Sequence, residues 1–176
     1  MSKLSKILVA TSLFVFSAGV MAQGKVVVFN AERAILNTEA AQAQIKKFEA
    51  NANFTEMRAK AESLTAKLQE MDKQLKNEGV TWSEERKIEH RKTMEYSKAD
   101  LDLEVKKIQQ EQQIIIQQLL QAQAQNAQKV VQELVESEGI GLIINQQAVQ
   151  YADSSYDITA KITDRLNSLN KKPAGQ

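Results

Sequence analysis

The sequence has no cysteine, one proline and one histidine, and only 5% of its residues are aromatic. Without cysteine no disulfide can stabilise the fold, so packing or assembly has to do so. A conventional zinc site needs several cysteine or histidine ligands, and the sequence does not supply them. Because the only proline is Pro173, no proline kinks a helix between residues 23 and 172. These shortages favour long uninterrupted helices.

An excess of charge of one sign is also missing. The formal net charge is +1, from 23 basic and 22 acidic residues. A surface that neutralises phosphates needs a basic surplus, so we expect no nucleic-acid partner. The carboxylates are scattered, His90 lies in a charged run, and no glycine-rich phosphate loop occurs. We therefore expect neither an enzyme nor a bound cofactor or metal.

The first 22 residues have the layout of a secretory signal peptide. Lys3 and Lys6 precede a mostly apolar run, and the small residue Ala22 offers a cleavage site after it. The alternative is a membrane anchor, but the run over residues 7–20 is shorter than the ~20 residues needed to span a bilayer. We predict an exported protein that is cleaved after Ala22.

Two apolar stripes mirror each other about Thr81, with steps of three and four residues. The first comprises Phe54, Met57, Ala61, Leu64 and Leu68. The second comprises Met94, Lys98, Leu101, Val105 and Ile108, and continues through Ile115, Leu119 and Ala122. Folding the chain back at Thr81 places the stripes face to face, which predicts an antiparallel coiled-coil hairpin with a left-handed supercoil. We assign residues 39–129 to this arm and residues 79–83 to its tip.

Local residues also indicate a turn at the tip. Gly79 can take the positive φ that ends a helix, and Thr81 or Ser83 can cap the next one. A returning helix from Ser83 to Glu138 contains no helix-breaking residue and would be roughly 80 Å long. Polar residues on its seam either fix the register or keep the arm loose enough to bend. These are Lys98, Gln112 and Asn126.

The two ends of the sequence predict a small body that contains strands. Residues 25–29 form a β-branched run, and residues 142–145 and 148–151 are typical of two further short strands. Asp157 can cap a last helix, whose frayed end would be residues 171–176. Because short strands are not stable alone, we expect them to form one sheet that other copies of the chain complete.

The fold class is therefore mainly α with a small β body, an α+β arrangement. The body comprises residues 23–38 and 130–170, and the helical hairpin projects from it. A body this small is not expected to be stable as a monomer.

The terminal segments resemble the Skp/OmpH family of periplasmic chaperones. The resemblance is carried by residues 25–30, 141–152 and 157–160, whereas the arm is similar only in helical character, length and hairpin position. It implies a periplasmic, jellyfish-like homotrimer whose body contains strands of all three subunits. It also implies a cavity between three arms that receives unfolded outer-membrane β-barrel proteins without ATP.

Members of this family are often strongly basic, whereas this chain is close to neutral. The resemblance is therefore not extended to a lipopolysaccharide-binding site, and contact with a membrane surface is a minor alternative.

Apolar residues outside the hairpin seam are the candidates for client binding, because the hairpin itself uses the seam. They are Leu103, Ile114, Ile116 and Leu120 on the returning helix, and Val80 and Trp82 at the tip. Alternatively, the four helix residues widen the hairpin interface or lie in the trimer, and the two tip residues only close the tip. The trimer-interface candidates are the apolar residues of the body. They are Val26, Val28, Val131, Val135, Leu142, Ile144 and Val149.

Two other functions stay open. A passive coiled-coil scaffold or spacer of the envelope would carry more continuous heptads and an anchor. A lipid or lipopolysaccharide carrier would carry a basic patch or an enclosed apolar tunnel. The surplus of apolar residues off the seam favours a chaperone that holds unfolded protein.

Overall fold

The structure is a computed structural model that describes residues 24–171. Its elements are β1 (Lys25–Phe29), α1 (Ala31–Leu36), α2 (Glu39–Glu49), α3 (Ala52–Glu78), α4 (Glu84–Glu138), β2 (Ile140–Asn145) and α5 (Thr159–Lys171). Short 3-10 turns lie at Gly79–Thr81, Gln146–Ala148 and Ser154–Tyr156. The predicted signal peptide, and the predicted frayed end beyond Lys171, lie outside the described residues. Among the helices of the described range, none is both long and apolar enough to cross a membrane.

The predicted hairpin is confirmed, with α3 of 27 residues lying against α4 of 55 residues. The residues of the first stripe are buried or half-buried along α3. Across the hairpin the Lys60 Nζ lies 2.7 Å from the Glu104 Oε1, and the His90 Nε2 lies 2.9 Å from the Met71 carbonyl oxygen. Both pairs place the turn close to Thr81, where the mirrored stripes predict it.

The second stripe is wrong at three positions. Ala122 is exposed, and so are Lys98 and Val105, whose neighbours Ser97 and Glu104 are each only 3% exposed and lie in the seam. Apolarity alone misassigned these positions, because a carboxylate can lie in a seam when a partner satisfies it. Here Lys60 supplies that partner. Gln112, which was also assigned to the seam, is exposed.

Side-chain caps break the first helical segment twice. The Asn51 Oδ1 accepts a hydrogen bond from the Asn53 backbone at 2.9 Å, which forms the break between α2 and α3. An earlier break lies between α1 and α2. There the buried Thr38 hydroxyl accepts from the Ala41 backbone and donates to the Ile35 carbonyl.

The tip differs from the prediction at Gly79. Its φ is −58°, so it begins a 3-10 turn instead of taking a left-handed conformation. Within residues 24–171 the positive φ, 63°, belongs to Gly139 at the end of α4. Of the two possible caps, Ser83 is the one used, since its Oγ accepts from the first turn of α4. The Thr81 hydroxyl instead donates to the carbonyl of Glu78 at 2.7 Å.

β1 and β2 pair in parallel, so the two ends of the sequence meet in one sheet as predicted. Val26 lies opposite Leu142, and Val28 lies opposite Ile144. Parallel neighbours need a long connection, and the whole hairpin supplies it.

The predicted third strand over residues 148–151 is wrong, because the described residues form only the two strands β1 and β2. The Asn145 side chain accepts from the backbone of Gln147 at 3.0 Å and starts a 3-10 turn. That local hydrogen bond competes with strand extension.

The core lies where β1, α1, the end of α4 and α5 meet. Its buried residues are Val27, Ala34, Ile35, Ala127, Val130, Leu134, Ile140, Ile158, Ile162 and Leu166. The Thr163 hydroxyl ties α5 to α1 by donating to the Ala34 carbonyl at 3.0 Å. Because side chains alternate along a strand, burying Val27 in this core turns Val26 and Val28 to the opposite face of the sheet.

Candidate client-binding and assembly surfaces

Leu103 and Ile114 lie on the surface of α4 that faces away from the hairpin. Their exposed fractions are 51% and 47%. They are separated by three helical turns, which aligns them along one side of α4. The seam residue Leu119, on the other side, is buried. These two side chains are therefore accessible to a partner in this conformation.

Ile116 and Leu120 are less accessible. Leu120 packs against the core of the body. Ile116 is half-buried and lines a groove of about 270 Å³ between α2 and α4. The groove is lined by Leu36, Ile45, Phe48, Glu49, Gln112, Ile115 and Ile116.

Phe48 was not singled out from the sequence, although it shapes this groove. Its ring centroid lies 4.4 Å from that of Phe54, across the break between α2 and α3. The stripe over α3 identified Phe54, but Phe48 precedes the break and lies outside that stripe. The two residues before it, Lys46 and Lys47, are typical of a solvated helix surface. An aromatic residue six positions before a stripe residue was the available signal.

The two tip candidates have different environments. Val80 is 92% exposed, whereas Trp82 is only 6% exposed. The Trp82 ring meets the His90 ring edge-on at 4.7 Å between centroids, and the Arg86 guanidinium lies 4.4 Å from the Trp82 ring centroid. Such contacts fix the ring, so Trp82 closes the tip in this conformation. Its Nε1 is buried and has no hydrogen-bond partner among the described residues.

The outer face of the sheet contains most of the assembly candidates. Val26 and Leu142 are neighbours across the two strands and are 41% and 52% exposed. Val28 and Ile144 are the next neighbours across the strands; Val28 is only 4% exposed and Ile144 is half-buried, and both line a groove of about 290 Å³. The residues that complete this groove are Val149, Tyr151, Ala152, Asp153 and Tyr156.

Val131 and Val135 behave differently, because both pack against the core of their own chain while staying half-buried. The backbone edge of β1 is bridged to Asp157. For β2, the structure of residues 24–171 provides a strand partner on one side only.

The ion pairs of the body join its elements to one another. Glu138 accepts hydrogen bonds from Lys161 at 2.6 Å and from Lys25 at 3.0 Å, and these lower the pKa of its carboxyl. At Asp157 burial raises the pKa of the carboxyl, but hydrogen bonds from Thr159 and the charge of Arg33 outweigh burial and leave the pKa lowered. Both carboxylates are therefore held ionised as structural links.

No group of histidine, aspartate or glutamate side chains in the described part of the chain has the arrangement of a metal site.

Comparison with known proteins identifies a family. A family model described as "Outer membrane protein (OmpH-like)" matches residues 25–166. Among solved structures, the chain is similar to an OmpH-like protein from Caulobacter crescentus that is described as a candidate outer membrane chaperone. The two share 16% sequence identity with a TM-score of 0.47, over 87% of this chain and 89% of that one. No curated protein matches the chain.

Proposed function

Because the chain belongs to the OmpH-like outer membrane protein family, we propose that it is an ATP-independent periplasmic holdase. In this proposal it is exported, assembles as a homotrimer, and encloses unfolded outer-membrane β-barrel proteins before they insert. It would act without a cofactor, a catalytic step or a nucleic-acid partner. Residues 23–38 and 130–170 would form the trimeric body, and residues 39–129 the arms.

The uncovered apolar face of the sheet is the observation that supports this proposal most. A two-stranded sheet is marginal in water, and its outer face would normally be buried. Here Val26 and Leu142 are exposed side by side, and β2 has a free edge within the described residues. Further copies of the chain would cover both features, which is the arrangement that a trimeric body requires.

Trimerisation through the body would place three hairpins around a shared space. Leu103 and Ile114 would then contribute apolar contacts to a client. Full burial of one such side chain contributes about 1.5–3 kcal/mol, so partial contact with each contributes less. Many weak contacts on linked arms give useful total affinity while allowing release without a chemical step.

Two measurements test the proposal. Multi-angle light scattering on the mature chain should give a mass three times that of the monomer; a stable monomer would contradict the trimer. Adding the mature chain during dilution of a urea-denatured β-barrel protein should suppress turbidity at near-stoichiometric amounts without nucleotide. A trimer that leaves turbidity unchanged would favour the scaffold interpretation.

A double variant separates assembly from folding. Replacing Val26 and Leu142 with serine should lower the measured mass while preserving helicity, because both side chains are exposed in the monomer. The matched control replaces the exposed Tyr96 of the arm with serine, which should leave the mass unchanged. Equal masses for the wild type and the double variant would remove the sheet face from the interface.

A further inference from the structure

A segment of α4 that precedes its end in the body carries no charged residue. From Gln112 to Gln128 the sequence contains only glutamine, asparagine, alanine, isoleucine and leucine. The preceding part of α4, from Glu84 to Glu111, is rich in lysine, arginine and glutamate. A run of 17 uncharged residues on a surface helix of an otherwise highly charged arm needs a physical explanation.

The exposed residues Gln112, Gln113, Ala122 and Ala124 of this run lie on other sides of the helix. The exposed residues that share one side of α4 with Ile114 are all glutamines, namely Gln117, Gln118, Gln121, Gln125 and Gln128. We call these six residues the amide face. The opposite side, with Leu119 and Ala127, is buried in the protein. Nothing in the described chain covers the amide face.

The amides of this face are not used within the protein. Among residues 24–171 no protein group forms a hydrogen bond with the side chains of these five glutamines. In contrast, the half-buried Asn126 donates a hydrogen bond from its side-chain amide to the Gln123 Oε1 at 3.2 Å. Each free amide offers two donors and an acceptor.

We propose that the amide face binds the backbone of extended client segments through glutamine hydrogen bonds. The inference rests on the proposed holdase function and names the chemistry of its client contact. An extended segment presents unpaired N–H and C=O groups along its edge, which primary amides can match. From Ile114 to Gln128 the face is about 21 Å long. That length matches about six residues of an extended chain.

Uncharged amides suit this partner better than ions would. Membrane-facing strands alternate apolar and polar residues and carry few charges on the lipid side. Enclosing them against charged side chains would cost the desolvation of those charges. Backbone hydrogen bonds are also independent of sequence, so one face can hold many clients. Ile114 adds apolar contact at one end of the face.

The experiment compares two peptide probes on the full mature chain. The first is a fluorescein-labelled peptide of alternating valine and threonine, about ten residues long, as in one membrane-spanning strand. The second has the same side chains, but all of its backbone nitrogens are methylated, which removes the donors along both edges. Fluorescence anisotropy should show tighter binding of the first probe, with about a fivefold change for each net hydrogen bond lost.

A triple variant assigns that discrimination to the amide face. Replacing Gln118, Gln121 and Gln125 with methionine keeps side-chain length and helix propensity but removes the amides. It should bring the affinities of the two probes together. The control replaces Gln69 and Gln74, exposed glutamines of α3, with methionine and should keep the discrimination. If apolar attraction dominates instead, the triple variant would bind both probes more tightly than the wild type, and the inference is overturned.

Two further outcomes separate this inference from the holdase proposal. If the wild type suppresses the turbidity of a denatured barrel protein but does not distinguish the probes, only the amide-face inference fails. If it neither suppresses turbidity nor binds either probe, the holdase proposal fails with it. A change in assembly mass in the triple variant would show that the face packs against another copy of the chain, which also overturns the inference.

Discussion

Lys60 of α3 and Glu104 of α4 form an ion pair across the hairpin, with 2.7 Å between Nζ and Oε1. The Glu104 side chain is 4% exposed, whereas that of Lys60 is 58% exposed. Lys107, one turn further along α4, adds a second contact to the same oxygen at 3.1 Å. A seam position that the sequence assigned to an apolar neighbour thus holds a carboxylate with two cationic partners.

Replacing Glu104 with glutamine should destabilise the protein near neutral pH. The hydrogen bond from Lys60, followed by that from Lys107, lowers the pKa of Glu104. A carboxyl with a lowered pKa in the folded state stabilises the fold above its unfolded pKa, and this stability is lost as pH falls through the folded value. The difference between wild type and variant should therefore shrink below the ordinary glutamate pKa of about 4.3.

Urea unfolding followed by circular dichroism at a series of pH values measures this difference. The matched control replaces Glu62 with glutamine. The Glu62 side chain is 75% exposed and, among the described residues, pairs only with Arg58 at 3.9 Å. That change should have little effect at any pH. A Glu104 effect that is constant from neutral to acidic pH would contradict the ion-pair explanation.

The tip should depend on Trp82 and not on Val80. Replacing Trp82 with alanine removes a buried aromatic side chain, which typically costs about 3–5 kcal/mol. Replacing Val80 with serine should change the free energy of unfolding by no more than about 0.5 kcal/mol, because Val80 projects into solvent. As Trp82 is the only tryptophan, its fluorescence reports on the tip directly. A red-shifted, solvent-like emission of the folded wild type would contradict the buried position.

The start of the sheet should not accept a side chain at Gly141. A Cβ there would lie 2.8 Å from the Gly24 Cα, which is too close for unstrained packing. The Gly141→Ala variant should lose about 1–3 kcal/mol of stability in chemical denaturation. Gly139 provides the comparison, because it has open space but a positive φ. Asparagine tolerates that conformation, so Gly139→Asn should be milder than Gly141→Ala. The reverse order would show that backbone conformation, not the close approach, limits this corner.

Truncating Leu134 should lower the stability of the protein, whereas truncating Leu103 on the same helix should not. Leu134 is 1% exposed in the core, so its replacement with alanine should cost about 2–5 kcal/mol. Leu103 is half exposed, and its replacement with alanine should leave the free energy of unfolding within about 0.5 kcal/mol of wild type. Denaturation of the two variants tests this directly. A large loss for Leu103→Ala would assign that residue to the structure of the arm instead of its free surface.

The sequence predicted the hairpin because its three signals are local or repetitive. The stripe on α3, the cap at Ser83 and the uninterrupted run to Glu138 each indicate the same turn. The meeting of the two ends in one sheet also followed, because the short strands at the two ends of the hairpin need partners. Their parallel direction was not predicted.

Other features depended on contacts that a sequence does not display. Glu104 lies in the seam because Lys60 satisfies its carboxylate, and the small Ser97 side chain is buried there as well. The three- and four-residue spacing of the stripe pointed to Lys98 and Val105 instead. The predicted third strand does not form because the Asn145 side chain accepts a hydrogen bond from the backbone amide of Gln147. The roles of Trp82 and Val80 could not be distinguished from the sequence, because either side chain could close the turn. Only their environments in the structure show that Trp82 does so.

Client holding by the arm is tested most directly by the holding assay with a variant in which Leu103 and Ile114 are both serine. We predict that this variant keeps the helicity and assembly mass of the wild type but suppresses the turbidity of a denatured β-barrel protein less well. Undiminished suppression by a correctly assembled variant would contradict the claim that Leu103 and Ile114, on the exposed side of α4, contact the client.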